Sequence, residues 1–310
     1  MSHFDLNFVQ RILLLGILVQ GGMSLPADAG RRTPALRTVE VLLAADTAFR
    51  TRPGWRSDAR RALEEATADL AATVGLAFRV VETRAWDPPP GAQTWPARAE
   101  ALARETGGRE ILPIAFLGEA PPERGDGDLL GYAYLGRPPI LVRRAKGATL
   151  ALTLRHEIGH VFGLPHLPGR NVMAERAGRR SADFDAVSLD VLRANRAMAL
   201  GAKTPFLGSD LDVLRDAYLL WAARGGGRAR LLLNLGIAFR REGRPRDAVA
   251  CLETAVRLDG ESAPAWRHLG LARRDLGDRA GARAALRRSL ALDPEGARAA
   301  ETRRALETLR

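Results

Sequence analysis

The spacing of apolar residues changes period several times along the chain, and each change marks an element. Residues 38–45 (TVEVLLAA) are a short, nearly continuous apolar run and read as a strand. In 57–75 (SDARRALEEATADLAATVG) apolar residues recur at helical spacing, which predicts an amphipathic helix with Ser57 as N-cap and Gly75 as stop. A second strand follows at 76–84 (LAFRVVETR), then a loop (DPPPGAQTWP), a helix near 97–106 and the apolar strand 110–118 (EILPIAFLG). A loop rich in Gly and Pro (EAPPERGDGD) leads to two further strand candidates, 129–136 (LLGYAYLG) and 139–144 (PILVRR). Residues 148–163 (ATLALTLRHEIGHVFG) are helical, and 181–200 predict another helix capped by Ser181. Strands and helices mixed in this order indicate a compact domain of both classes.

From about residue 205 the strand signal stops and the chain is helical to its end. Shifted against itself by 34 residues, it repeats Leu235-Gly236 as Leu269-Gly270, Ala238 as Ala272, Gly243 as Gly277 and Ala248 as Ala282. Leu252, Leu258 and Asp259 return as Leu286, Leu292 and Asp293, with Pro294 closing the period. This resembles the tetratricopeptide repeat (TPR), in which small residues let paired helices approach and glycines break the chain between them. Two repeats are expected, 229–262 and 263–296, with a capping helix over 297–309. Residues 205–228 are expected to be a helical linker or degenerate repeat.

Composition narrows the class. At 310 residues and 46% hydrophobic content, the chain can bury the cores of two modest domains. A formal charge of +11 suggests nucleic acid at first sight. Only Lys146 and Lys203 are lysines, however, and the arginines are spread over the whole chain beside abundant alanine and glycine. That is the habit of a GC-rich genome. With no basic helix carrying aromatics and no helix-turn-helix pattern, no nucleic-acid partner is expected.

The apolar run 12–19 (ILLLGILV) is too short for a bilayer, which takes about twenty residues. Lying between Arg11 and the small residues Ala27 and Ala29, it has the layout of a secretory signal over 1–29. With Asp5 offsetting Arg11, an uncleaved anchor is the other reading. After cleavage no stable transmembrane span is expected, and the mature bacterial chain is expected to be extracytoplasmic, secreted or periplasmic. Cys251 is the only cysteine, which excludes an intrachain disulfide and suggests a buried thiol.

Three of the chain's five histidines fall in residues 155–173 (RHEIGHVFGLPHLPGRNVM). His156 and His160, four apart on a helix, project from one face, so their Nε2 atoms can meet one zinc ion at about 2 Å. Glu157, beside the first of them, can reach a metal-bound water. Gly163 ends the helix in a turn suited to the left-handed conformation and brings His166 back as a third ligand. Three protein ligands leave a fourth position open, as in catalytic rather than structural zinc.

The run H-E-x-x-H-x-x-G-x-x-H with a following methionine, here His156, Glu157, His160, Gly163, His166 and Met173, is the signature of the metzincin metallopeptidases. The order of elements over residues 38–200 resembles the matrixin branch, as do GDGDLLGYAYLG and SADFDAVSLDVLRAN. The resemblance implies an α+β metzincin-like (zincin) catalytic domain with a mixed twisted sheet over 30–204, followed by the all-α repeat domain. It implies one catalytic Zn2+, Glu157 as general base and Met173 as an apolar floor under the metal. It also implies an edge strand, Leu130, Gly131, Tyr132, Ala133 and Tyr134, that pairs with an extended protein or peptide substrate. Departures are plain. The further histidines of a structural zinc, the cysteine of a propeptide latch and the extra tyrosine ligand of the astacin branch are missing. Asp126 and Asp128 fall short of a structural Ca2+ shell and read as a solvated loop. The expected function is an extracytoplasmic zinc metalloendopeptidase whose repeats bind a substrate or partner protein. The alternative is a TPR adaptor with a catalytically idle zinc domain.

Overall fold

Strands β1 (Arg37–Ala45), β2 (Leu76–Ala85), β3 (Ile111–Leu117), β4 (Gly131–Tyr134) and β5 (Arg137–Arg143) form one mixed sheet in the order β2-β1-β3-β5-β4. The first four in that order are parallel, and β4 pairs antiparallel with β5 at the edge. Parallel neighbours need long crossovers. Between β1 and β2 these are α1 (Thr47–Arg50), α2 (Trp55–Thr67) and α3 (Leu70–Val74), and between β2 and β3, α4 (Trp95–Thr106). The computed structural model describes residues 36–121, 129–144, 150–167, 170–174, 181–201, 206, 208–225 and 228–309. The expected leader, Asp126 and Asp128 lie outside them. Among the described residues no helix is long and apolar enough to cross a membrane.

The period-two alternation of the strands explains the two layers. Val39, Val41 and Leu43 of β1, with Leu112, Ile114 and Phe116 of β3, face the large core that holds α2 and α3. Ala44, Ala115, Leu117 and Leu141 point the other way, onto Trp95, Ala99 and Leu102 of α4. Thr94 caps α4 by accepting from the Ala97 N–H at 3.0 Å.

Two expected helix starts are corrected. The helix expected over 57–75 begins at Trp55, and the Ser57 hydroxyl donates back to the Gly54 carbonyl at 2.7 Å instead of capping. It also breaks at Ala68 and Asp69 before α3, which Gly75 ends as expected. The helix expected over 181–200 is α6 (Ala186–Asn195), and its cap is Asp185, whose carboxylate accepts from the Ser188 N–H at 2.8 Å, not Ser181.

Helix α5 (Leu150–Val161) packs against α2, β4 and β5. Helix α7 (Leu211–Ala223) buries Leu211, Leu214, Ala217, Tyr218 and Trp221, and packs against α6, α8 (Ala229–Arg241) and α9 (Pro245–Leu258). The second helix pair is α10 (Ala263–Asp275) and α11 (Arg279–Leu292), and α12 (Ala299–Glu307) packs on α11. The 34-residue period appears as one repeated contact: a Cβ at Gly236 would stand 2.5 Å from Leu252, and one at Gly270 would stand 2.6 Å from Leu286. Ion pairs Arg215–Asp247 and Arg244–Asp212, each 2.6 Å, bind α7 to the start of α9. One apolar cluster runs from Val39 through α5, Met173, α6 and α7 into both repeats. Cys251 is fully buried within it, and burial pushes its thiol up to about 12.

The break before α3 has a partner on α5. Buried Arg155 donates to both Asp69 carboxylate oxygens, at 2.6 and 2.9 Å, and to the Ala66 carbonyl at 2.9 Å, with its guanidinium over the Phe184 ring. Asp69→Asn is expected to cost about 1–3 kcal/mol at neutral pH, because it strands a buried guanidinium while the carboxylate itself is half exposed. The Arg155 hydrogen bonds hold the Asp69 carboxyl below the usual carboxylate range, against the opposing effect of burial. A lowered folded-state value stabilises above the unfolded value of about 3.9 and is lost as pH falls through the folded one. Denaturant melts of both chains should therefore show a gap at pH 7 that narrows below pH 4. A gap independent of pH would exclude the ionic contribution.

Candidate metal centre

Helix α5 is buried from Thr153 to Val161, so the polar side chains on it sit inside the domain. His156 and His160 meet edge to face, with ring centroids 4.5 Å apart. The Nε2 of His166 stands 3.2 Å from the Nε2 of each. Two nitrogens held about 2.0–2.1 Å from one tetrahedral zinc stand about 3.3 Å apart, close to the 3.2 Å of the two pairs that His166 makes. Among the described residues, the ligand nitrogens of His156, His160 and His166 all lie within 4.8 Å of one another, a group able to hold a metal ion.

The chain after α5 sets this geometry. Gly163 adopts φ +89°, its N–H reaches the His160 carbonyl at 2.9 Å, and the Leu164 N–H reaches the Gly159 carbonyl at 2.8 Å. That is the Schellman ending of a helix. It turns the Leu164 carbonyl onto His160 Nδ1 at 2.7 Å. The next turn brings the Val172 carbonyl to His156 Nδ1 at the same distance. A carbonyl can only accept, so both Nδ1 atoms carry protons and both Nε2 lone pairs point inward. Asn195 donates to the Phe162 carbonyl at 2.8 Å and Tyr218 to the Gly163 carbonyl at 3.1 Å, which ties the turn to α6 and α7. Met173 is fully buried, and Gly159 makes room for it: a Cβ there would lie 2.5 Å from the sulfur.

Glu157 is buried at 3% exposure against the sheet edge. A Cβ on Gly131 would stand 2.6 Å from its Oε1, so β4 passes the carboxylate as closely as a backbone can. Strand β4 covers Gly131–Tyr134. Leu130 precedes it, its carbonyl accepting from the Arg143 N–H at 2.9 Å. The outer edge of β4 meets no further strand among the described residues. Gly131 and Ala133 turn toward α5, whereas Tyr132 and Tyr134 pack edge to face at 5.3 Å on the α4 side. Burial pushes the Tyr132 hydroxyl up to about 12. The tyrosines therefore offer this edge their backbone, not their rings.

Four residues around the site escape sequence reasoning. Gly159, Asn195 and Tyr218 carry no local signal for their roles, since each acts on a residue brought in by the fold. The fourth is Arg228, whose Nη2 lies 2.7 Å from His166 Nδ1. His268, in the repeats, is remote from these functions. Its Nδ1 is buried without a partner, and burial, aided by arginines nearby, lowers it to about 3.

Residues 229–262 and 263–295 match the family model of the tetratricopeptide repeat, which sets the second repeat one residue shorter than expected. No curated protein matches the chain. Among solved structures, the Sgt2 TPR domain from Aspergillus fumigatus is similar at 28% identity over 32% of this chain, with TM-score 0.28. The chain spans 66% of that domain, just under two thirds. The archaemetzincin from Methanopyrus kandleri is similar at 20% identity, covering 53% of this chain and 97% of its own, with TM-score 0.40. Metalloproteinase-II from Bacteroides fragilis is similar at 15% identity, covering 53% of this chain and 54% of its own, with TM-score 0.41.

Proposed function

We propose that the chain is an extracytoplasmic zinc metalloendopeptidase of metzincin, matrixin-like type whose two repeats bind a substrate or partner protein. The observation that carries this reading is the convergence of three imidazole Nε2 atoms, with the neighbouring Glu157 carboxylate buried against Gly131 of the edge strand. The donor set fits zinc: three imidazole nitrogens within 4.8 Å of one another, two of the rings oriented by carbonyls.

Bound by His156, His160 and His166, zinc would lower the pKa of water and polarise a scissile carbonyl. Glu157 then acts as general base, taking a proton from the water and returning it to the leaving amine. Its enclosure by α5 and Gly131 fixes the carboxylate and keeps bulk water from it. The outer edge of β4, which meets no further strand among the described residues, holds an extended peptide by backbone hydrogen bonds and aligns the scissile bond without demanding particular side chains. Met173 supports the histidines from below without ligating.

The test uses the purified chain, an unfolded protein as substrate and 1,10-phenanthroline as chelator. Cleavage should stop with the chelator and return on adding about one equivalent of zinc. A chain that binds one zinc through the histidines yet cleaves nothing would make it a TPR adaptor with an idle metal domain.

A further inference from the structure

We propose that the cleft between β4 and the metal centre selects acidic peptide segments, through the exposed arginines Arg137, Arg228 and Arg230 on its two sides. As a statement about the bond that is cut, this rests on the peptidase reading above; as a statement about binding, it stands alone. Strand β4 crosses the metal-bearing helix. A Cβ on Gly131, its first residue, would stand 2.6 Å from Glu157 Oε1. Just beyond its last residue, the Gly136 N–H donates to the His160 carbonyl at 2.9 Å. A peptide laid on the outer edge of β4 therefore follows α5 from Glu157 to His160.

Arginines flank that path. Arg137 is the register partner of Tyr134, and its guanidinium lies 3.9 Å over that ring. Arg228 comes from the repeat module, immediately before α8, and its Nη2 stands 2.7 Å from His166 Nδ1. Arg230, two residues on, is exposed like the other two. Its charge and that of Arg137 both reach the Tyr132 hydroxyl, so guanidinium groups from separate elements act on one side chain of β4. None of the three has an ion-pair partner among the described residues. Arginines elsewhere do, as Arg215 and Arg244 have in Asp212 and Asp247.

The carboxylates beside β4 do not balance this charge. Glu157 is buried against Gly131, and Glu100, exposed on α4, acts on Tyr134. Two carboxylates thus face three guanidinium groups, and a zinc ion would add two further positive charges. Guanidinium groups grip carboxylates through paired N–H donors, and a cleft of one sign draws in chains of the other. Backbone bonding to β4 is blind to side chains, so the charge of the rim discriminates between peptides. Acidic residues within about three positions of the one facing Gly131 favour binding, because β4 advances about 3.4 Å per residue toward Arg137. A second arginine group, Arg240, Arg267, Arg274 and Arg304, lines a cavity of about 360 Å³ in the repeats. Asp275 and Glu301 already pair with three of those four, which makes it the weaker anion site.

The test uses the full chain and two fluorescent peptides that differ only in carrying glutamate or glutamine at those positions. Binding is read by anisotropy on the Glu157→Gln chain with zinc present, and cleavage as kcat/KM on the chain with Glu157 intact. The glutamate peptide should bind about three- to tenfold more tightly, since one exposed ion pair contributes at most about fivefold. The preference should shrink at high salt. Adding Arg137→Glu or Arg230→Glu should bring the ratio of the two affinities to one or below. Each chain is read as a ratio between two peptides, so a partial loss of zinc or fold cancels. Both positions are exposed, and Arg137→Gln and Arg230→Gln stand in for any reversal that does not fold. Equal binding of the two peptides, or a preference that survives both reversals, overturns the proposal. So does a preference lost only on replacing Arg267 and Arg274 by glutamine, which would put the acidic segment in the repeats. A glutamate preference in binding, without zinc-dependent cleavage of either peptide, would keep the acidic cleft and remove the peptidase reading.

Discussion

Glu157→Gln is expected to lower kcat/KM on an unfolded protein by about 10²–10⁴-fold, the range in which a positioned general base contributes. Glutamine has the shape of glutamate and keeps the packing against Gly131 and α5, but it cannot take a proton from water. The loss should appear in kcat with little change in KM, because β4 and the histidines that meet substrate and metal are untouched. Zinc content and thermal stability should stay at wild-type levels, which separates a failed base from a failed fold. Retained activity in this variant would mean that another group abstracts the proton, and the role given to Glu157 would be wrong.

Gly163→Ala is expected to have the second largest effect, on stability and metal together. At φ +89° an L-residue is strained by roughly 1–2 kcal/mol. The added Cβ would also stand 2.7 Å from both Asn195 Nδ2 and Tyr218 Oη. Neither can withdraw cheaply, since each holds a carbonyl of the turn and Tyr218 is fully buried. Crowding of this kind costs about 1–3 kcal/mol more. A total of roughly 2–5 kcal/mol should be measured by denaturant unfolding. The functional loss follows from the same turn, which aims the Leu164 carbonyl at His160 and leads the chain back to His166. Zinc affinity should fall about 10–100-fold, as it does when outer partners of metal-bound histidines are disturbed. A variant that unfolds early but binds zinc normally would show that the turn supports the fold alone.

The features legible in the sequence are those written in short-range spacing. His156 and His160 are a helical pair whichever fold carries them, Gly163 sits where a helix must turn, and the 34-residue period marks the paired helices of the repeats. The strands appear through their apolar runs, and the sheet is mixed as expected. What escapes is set by residues far apart in the chain. The break before α3 depends on Arg155, 86 residues from Asp69. Ser57 and Ser181 are sound caps locally, but Trp55 and Asp185 fix the real starts by what they bury and bond. Gly131 looks like an ordinary strand glycine until β4 is laid against Glu157. Arg228 is one arginine among many in the sequence, and only the fold brings it beside His166.

The unbroken apolar cluster from β1 to the second repeat joins the sheet domain and the helical repeats into one unit whose parts unfold in a coupled way. A ligand bound anywhere on such a unit protects all of it, by about 2.7 kcal/mol at one hundred times its Kd. An ion held near α5 would therefore shield the distant repeats from digestion by other proteases, and a protein seated on the repeats would do the same for the sheet. The two ends protect each other against degradation through the core they share.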